Sequence, residues 1–289
     1  MDAWSGAIGL PLLGAALHPI IGVMVQRASR LGARLPILLG CANVLTFIIF
    51  AIYLKPDFSA PFQKYDALAI FNGFLFFWGQ WFSIQSVQRG DLVVHSSALG
   101  FKVILVAMLS ASVGLEKAGV GLLSGAVLAT MAVYLVAGAT FERLKINRLT
   151  LWLTLLACIF FAVNDFLTGW KSDESGGPRW LMIMMATSGL LSVGMLAIRW
   201  RDVSETFTKT DIALPVIGAG FTLGVQSLLV NLAFSKFCEP ALSNIAYSSR
   251  GVMAVFFVWI LVKRCKEPLG KRQLIGAVLM VIALGLVLV

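Results

Sequence analysis

Charged residues punctuate this chain sparsely, and between them lie runs of Leu, Ile, Val, Phe, Ala and Gly, each about 20 residues long, the length that crosses a bilayer as a helix. The pattern predicts ten membrane-spanning helices, near Ala7 to Val25, Leu35 to Leu54, Ala67 to Val87, Leu92 to Ser112, Ala118 to Thr140, Leu149 to Trp170, Leu181 to Ile198, Ile212 to Ser235, Ala241 to Val262 and Gln273 to Val289. The polar stretch Lys171 to Arg179, with Gly176, Gly177 and Pro178, reads as one of the longer connections, and no connection is long enough for a domain of its own.

The runs repeat. Gly125-Ala126-Val127-Leu128 recurs as Gly276-Ala277-Val278-Leu279, 151 positions on, and the same displacement carries Glu116 to Glu267, Ser97 to Ser248 and Gly100 to Gly251. Earlier in each half, Asp66, Gly73 and Gly79 recur as Asp211, Gly218 and Gly224, 145 positions on, so an insertion of six residues reconciles the two registers. These matches divide the chain into a first five-helix unit, residues 1–144, and a second, residues 145–289. Five is odd, so the second unit enters the membrane from the opposite face. The expected fold is therefore an all-α membrane protein of ten transmembrane helices arranged as a 5+5 inverted repeat.

Composition agrees with burial in lipid. Only 13% of the residues are charged and 59% are hydrophobic, with a mean hydropathy of +0.89, whereas a soluble domain carries roughly a quarter charged residues. The first apolar run lacks a positively charged leader and reads as a span rather than a cleaved signal peptide. The cysteines Cys41, Cys158, Cys238 and Cys265 are far apart, with no histidine at metal-ligand spacing, so neither a metal site nor a disulfide framework is expected, and no cofactor. The net charge of +9 comes from Lys and Arg in short connections, where it sets topology rather than binding nucleic acid.

At this point the residues resemble a known family, the drug/metabolite transporter superfamily in its ten-helix, EamA-like branch. The resemblance runs along the whole chain and is most specific at the end of each half. There Gly114-Leu115-Glu116-Lys117 leads to Gly121-Leu122-Leu123-Ser124-Gly125, and Lys266-Glu267-Pro268 leads to Gln273-Leu274-Ile275-Gly276-Ala277, like the family's acidic turn and Gly-rich closing helix. It implies a 5+5 inverted bundle with a central cavity in a bacterial inner membrane. The first helix lacks the acidic residue that a distant proton-coupled branch uses, so coupling does not transfer with the resemblance.

Fifteen Lys and Arg residues follow the odd-numbered helices and six the even-numbered ones, which places the connections after odd helices in the cytoplasm and both termini outside. Two further cations fall inside apolar runs. Lys102 lies ten residues beyond Leu92 and Arg250 ten beyond Pro240, about 15 Å deep at 1.5 Å per residue. An ionisable group at that depth costs about 2.5 to 3.5 kcal/mol and marks a cavity or a partner. Converging from corresponding helices, the two read as a site for a carboxylate or phosphate, with Arg as planar fork and Lys as point charge; the alternative is that each pairs with an acid such as Asp165.

Polar and aromatic residues on the same or neighbouring helices complete the candidate substrate site: His95 and Ser97 in the fourth run, Asn244, Tyr247 and Ser248 in the ninth, Gln80 and Trp81 in the third, Gln226 in the eighth, and His18 beside Pro19 in the first. Asp165 is the candidate for proton coupling. The expected function is secondary transport of a small anionic or zwitterionic metabolite, an amino acid or related organic acid, by alternating access around a midplane cavity. A carrier or flippase for a phosphorylated or lipid-linked substrate is the alternative. The expected partners are membrane lipid, the substrate and protons, with the chain acting as monomer or homodimer. An enzyme is not expected, because no paired-carboxylate, Ser-His-Asp or metal-ligand constellation is present.

Overall fold

The computed structural model describes residues 3–55, 61–89, 95, 98–115, 120–137, 148–250, 252–253 and 271–287. Among these the chain is all-helical. Its α-helices are α1 (Ala3–Arg30), α2 (Leu35–Leu54), α3 (Asp66–Arg89), α4 (Phe101–Ser112), α5 (Val120–Ala137), α6 (Arg148–Lys171), α7 (Gly177–Ile198), α8 (Trp200–Phe207), α9 (Thr210–Phe237), α10 (Pro240–Ser248) and α11 (Lys271–Val287).

Six of them, α1, α2, α3, α6, α7 and α9, are long and apolar enough to cross a membrane, and α4, α5 and α11 are shorter apolar helices. The protein is therefore an all-α, membrane-embedded one. Every predicted run contains a described helix. Two differences stand out. The stretch between the seventh and eighth runs folds into α8, whose exposed Trp200 and Phe207 alternate with charged residues. The expected long connection after Lys171 is tight, a 3-10 turn at Asp173–Ser175 followed at once by α7. Gly176, at a φ of 74° that L side chains rarely adopt, makes that turn possible, and Pro178 opens the helix where its missing N–H costs nothing.

The packing has a regular pairing scheme. Helix α2 lies on α7, α5 on α11 and α4 on α10; α1 packs on α9 as α3 does on α6, α2 on α9 as α3 on α7, and α1 on α10 as α4 on α6. At the α2–α7 crossing the pairing is residue for residue. A Cβ on Gly40 would stand 2.6 Å from Leu196, one on Gly189 would stand 3.1 Å from Phe47, and between them Asn43 Nδ2 donates to Ser192 Oγ at 3.0 Å across a separation of 149 residues. Moving 149 positions turns Gly40 into Gly189, Asn43 into Ser192 and Phe47 into Leu196, so each contact maps onto the other.

Two cores result. One joins α4, α5, α10 and α11 through Val103, Val106, Ala129, Ala132, Ile245, Met280 and Ala283, small residues that bring backbones close where lipid supplies no hydrophobic drive. The other, around Phe50, Trp180 and Met184, joins α2, α3, α6 and α7. It holds a polar knot in which Asn72 Nδ2 donates to Thr168 Oγ1 at 2.9 Å and Asn164 Nδ2 donates to the Asn72 carbonyl at 3.2 Å. At the rim, Arg179 straddles Asp66 with bonds of 3.1 and 2.6 Å, tying the start of α7 to the start of α3.

The closeness of α5 and α11 yields a direct prediction. A methyl group on Gly121 would meet the backbone carbonyl of Leu286 at 2.6 Å, and backbone cannot swing aside as a side chain can. Gly121→Ala is expected to lower the thermal midpoint of the purified protein, at a cost of about 1 to 3 kcal/mol; an unchanged midpoint would show that the pair separates freely.

The α9–α10 corner yields another. Cys238 ends α9 in the left-handed conformation, at a φ of 55°, and Pro240 opens α10. Glu239 between them is half-buried, and its Oε2 has no hydrogen-bond partner. Burial raises its carboxyl above the ordinary value of 4.5. A carboxyl that holds its proton more tightly when folded favours folding at acid pH, and that advantage is lost as pH climbs from the ordinary value through the raised one. Glu239→Gln should accordingly raise the thermal midpoint near pH 7.5 and leave it nearly unchanged near pH 4, a difference readable in one melting series across pH.

Candidate functional site

Lys102 lies on the second turn-position of α4 and Asp165 three quarters of the way along α6, and the packing of these helices brings Lys102 Nζ to 2.6 Å from Asp165 Oδ2. Both side chains are over nine-tenths buried. Asn244 of α10 donates Nδ2 to the same carboxylate oxygen at 3.0 Å. Three helices thus meet at one oxygen. Of the two roles open to Lys102, pairing with Asp165 is the one the geometry adopts, and Asp165 is a buried ion-pair partner. The attraction offsets desolvation only because both charges are present.

Arg250 is placed differently. Its guanidinium carbon lies 4.6 Å from the centroid of the Tyr247 ring, a cation–π contact, and Lys102 Nζ lies 5.6 Å from the same ring. Among the described residues no carboxylate is within ion-pair distance of Arg250. Tyr247 is fixed from the other side, because Gln226 Nε2 donates to its hydroxyl, and His18 of α1 sits against Gln226. The polar atoms left over are notable. His18 Nδ1, Gln226 Oε1, Asn244 Oδ1 and Ser249 Oγ are buried with no hydrogen-bond partner among the described residues. Each such atom costs about 1 to 3 kcal/mol unless a bound molecule satisfies it.

The structure therefore brings Lys102, Asp165, Asn244, Tyr247, Arg250, Gln226 and His18 together from five helices. Ser248 is turned away: its hydroxyl donates to the Ile245 carbonyl of its own helix at 2.6 Å and contacts Met280 of α11. His95 is bonded on its other side, Nδ1 lying 2.7 Å from Ser86 Oγ and 3.1 Å from Thr154 Oγ1, and it stands close enough to Arg250 and His18 to interact with them electrostatically. Gln80 is buried within α3, whereas Trp81 lines an open groove on the flank between α3 and α7. Ser97, with Glu116, Gly251 and Glu267 of the repeat, lies outside the described residues. Ser86, Thr154 and Phe161, whose ring is 5.8 Å from Lys102 Nζ, were not anticipated; small hydroxyls and one phenylalanine among 20 carry no distinguishing pattern. Among the described residues no group of histidines, cysteines and acids could hold a metal ion.

No protein-family model matches the sequence. No curated protein matches it either. Solved structures do: the chain is similar in fold to a crystal structure of a protein, with a TM-score of 0.67 over 97% of this chain and 96% of that one, at 13% identity.

Proposed function

We propose that the protein is a secondary transporter of the drug/metabolite type, in which two inverted five-helix units rock around a midplane site for a small metabolite bearing a carboxylate. The observation that carries this reading is Arg250, a half-buried guanidinium stacked on Tyr247 in the same cluster as several unpartnered polar atoms, while its neighbour Lys102 is already neutralised. Structural cations are normally satisfied by the protein itself, and one with no acid beside it among the described residues is suited to an incoming anion. The planar fork of Arg matches a carboxylate at two points. Gln226 Oε1, Asn244 Oδ1 and His18 Nδ1 can accept hydrogen bonds from an ammonium or amide, which favours a zwitterion such as an amino acid.

The ten-span, inverted arrangement draws support from the helix pairing. Exchanging each helix of the first unit for its counterpart in the second leaves the most extensive pairs in place, and the α2–α7 crossing keeps this to the residue. The fold likeness extends over 97% of this chain, so it takes in both units. By the charge rule the connection carrying α8 faces the cytoplasm of an inner membrane.

A thermal-shift screen of purified protein against amino acids, monocarboxylates, dicarboxylates and phosphorylated sugars tests the reading. Stabilisation by a carboxylate-bearing class, about 2.7 kcal/mol at a hundredfold excess over Kd, is expected. A response confined to phosphorylated sugars would transfer the site to that substrate class.

A further inference from the structure

The flank between α3 and α7 carries a groove of about 850 Å³, lined by Ile70, Phe74, Phe77, Trp78 and Trp81 on one wall and by Thr187, Leu190, Leu191, Gly194, Met195 and Ile198 on the other. Gly73 lets α3 close tightly on α7, since a Cβ there would stand 2.5 Å from the Met184 carbonyl and 2.6 Å from Thr187 Cβ. The groove is not part of the polar cluster described above. Leu190 and Ile198 are 72% and 85% exposed, so this wall faces lipid. From Thr187 to Arg199 the groove follows α7 for about 18 Å at 1.5 Å per residue, close to half of a hydrocarbon core about 30 Å thick. It is one leaflet deep.

Its mouth is charged. Arg199 closes the lining at the end of α7, and Pro36 beside it brings in Arg34. These two guanidiniums share a single carboxylate, Asp202, at 3.8 and 2.7 Å. One positive charge is left over. The amphipathic α8 follows immediately, with Trp200 68% exposed as an interfacial anchor. An apolar slot one leaflet deep under an excess guanidinium has the chemistry of an anionic phospholipid: acyl chain along the tryptophans, phosphodiester on Arg199.

We infer that the α3–α7 groove is a binding site for one anionic phospholipid of the leaflet bordering α8. The basic connections that the charge rule places in the cytoplasm lie at this end, and that leaflet is the one rich in anionic lipid.

The test uses the intact protein in lipid nanodiscs containing phosphatidylglycerol or phosphatidylcholine brominated on the acyl chain, with tryptophan quenching as readout. Subtracting the signal of Trp78→Phe/Trp81→Phe isolates the two groove tryptophans. Brominated phosphatidylglycerol is expected to quench them with about fivefold higher apparent affinity than phosphatidylcholine, the factor contributed by one basic residue near an anionic surface. Arg199→Gln should abolish the preference, Arg199→Lys should keep most of it, and Arg201→Gln, outside the lining, should leave it intact. Arg199 is more than half exposed, so its removal spares folding. Equal quenching by both lipids, or a preference that survives Arg199→Gln, would overturn the inference and leave only ordinary boundary lipid. Neither outcome bears on the transport reading.

Discussion

Lys102→Met is expected to cost the protein about 3 to 5 kcal/mol of stability, enough to remove most folded material from a membrane extract. The loss comes from Asp165 rather than from the lysine. With Nζ gone, a carboxylate over nine-tenths buried keeps only the Asn244 amide as a partner. The double change Lys102→Met/Asp165→Asn removes both charges and leaves an amide that still accepts from Asn244, so it should recover much of the loss. Size-exclusion yield and thermal midpoint of the parent, both singles and the double form a complete cycle. A Lys102→Met protein as stable as the parent would mean that the buried pair is not what holds α4, α6 and α10 together. Of the two roles the sequence leaves open for Lys102, anion ligand or partner of Asp165, this outcome belongs to the second.

Arg250→Gln should do the reverse. Because no carboxylate among the described residues depends on this guanidinium, its removal is expected to change stability by less than about 1 kcal/mol. Binding of the carboxylate ligand found by thermal shift should weaken by a hundredfold or more, since a charge-assisted, desolvated pair is worth about 2 to 5 kcal/mol and each 1.4 kcal/mol is a factor of ten. Arg250→Lys should recover only part, because an ammonium keeps the charge but not the fork. Titration of each variant by tryptophan fluorescence or calorimetry measures this. Binding unchanged in Arg250→Gln would remove the anion from this position.

The contrast between these two residues marks the boundary of what a sequence discloses. Both stand out equally as cations inside apolar runs, because insertion cost depends on depth and charge, both readable along one chain. Which of them is neutralised depends on whether another helix delivers an acid, and Asp165 is 63 residues from Lys102. The apolar runs themselves foretold every described helix of 9 residues or more, since lipid demands continuous apolar length irrespective of tertiary packing. Helix α8 escaped because it is eight residues long and amphipathic, obeying the interface rather than the core. The proposed repeat rests, in the sequence, on small residues and acids, yet the register at the α2–α7 crossing pairs Asn43 with Ser192 and Phe47 with Leu196, unlike residues that no identity search aligns. Trp81 was grouped with the polar site on its aromatic character alone, and the helical phase of α3 turns it instead to the lipid-facing groove.

That crossing has a mechanical consequence. Under the proposed rocking, a symmetry axis that passes between Asn43 and Ser192 makes this point the fulcrum of the motion, the spot that travels least whichever gate is open. Gly40 and Gly189 leave shallow notches on either side of it, each seating a bulky side chain of the opposite helix. A hinge of this shape lets two rods swivel like scissor blades without sliding, so opening on one face is geared to closing on the other.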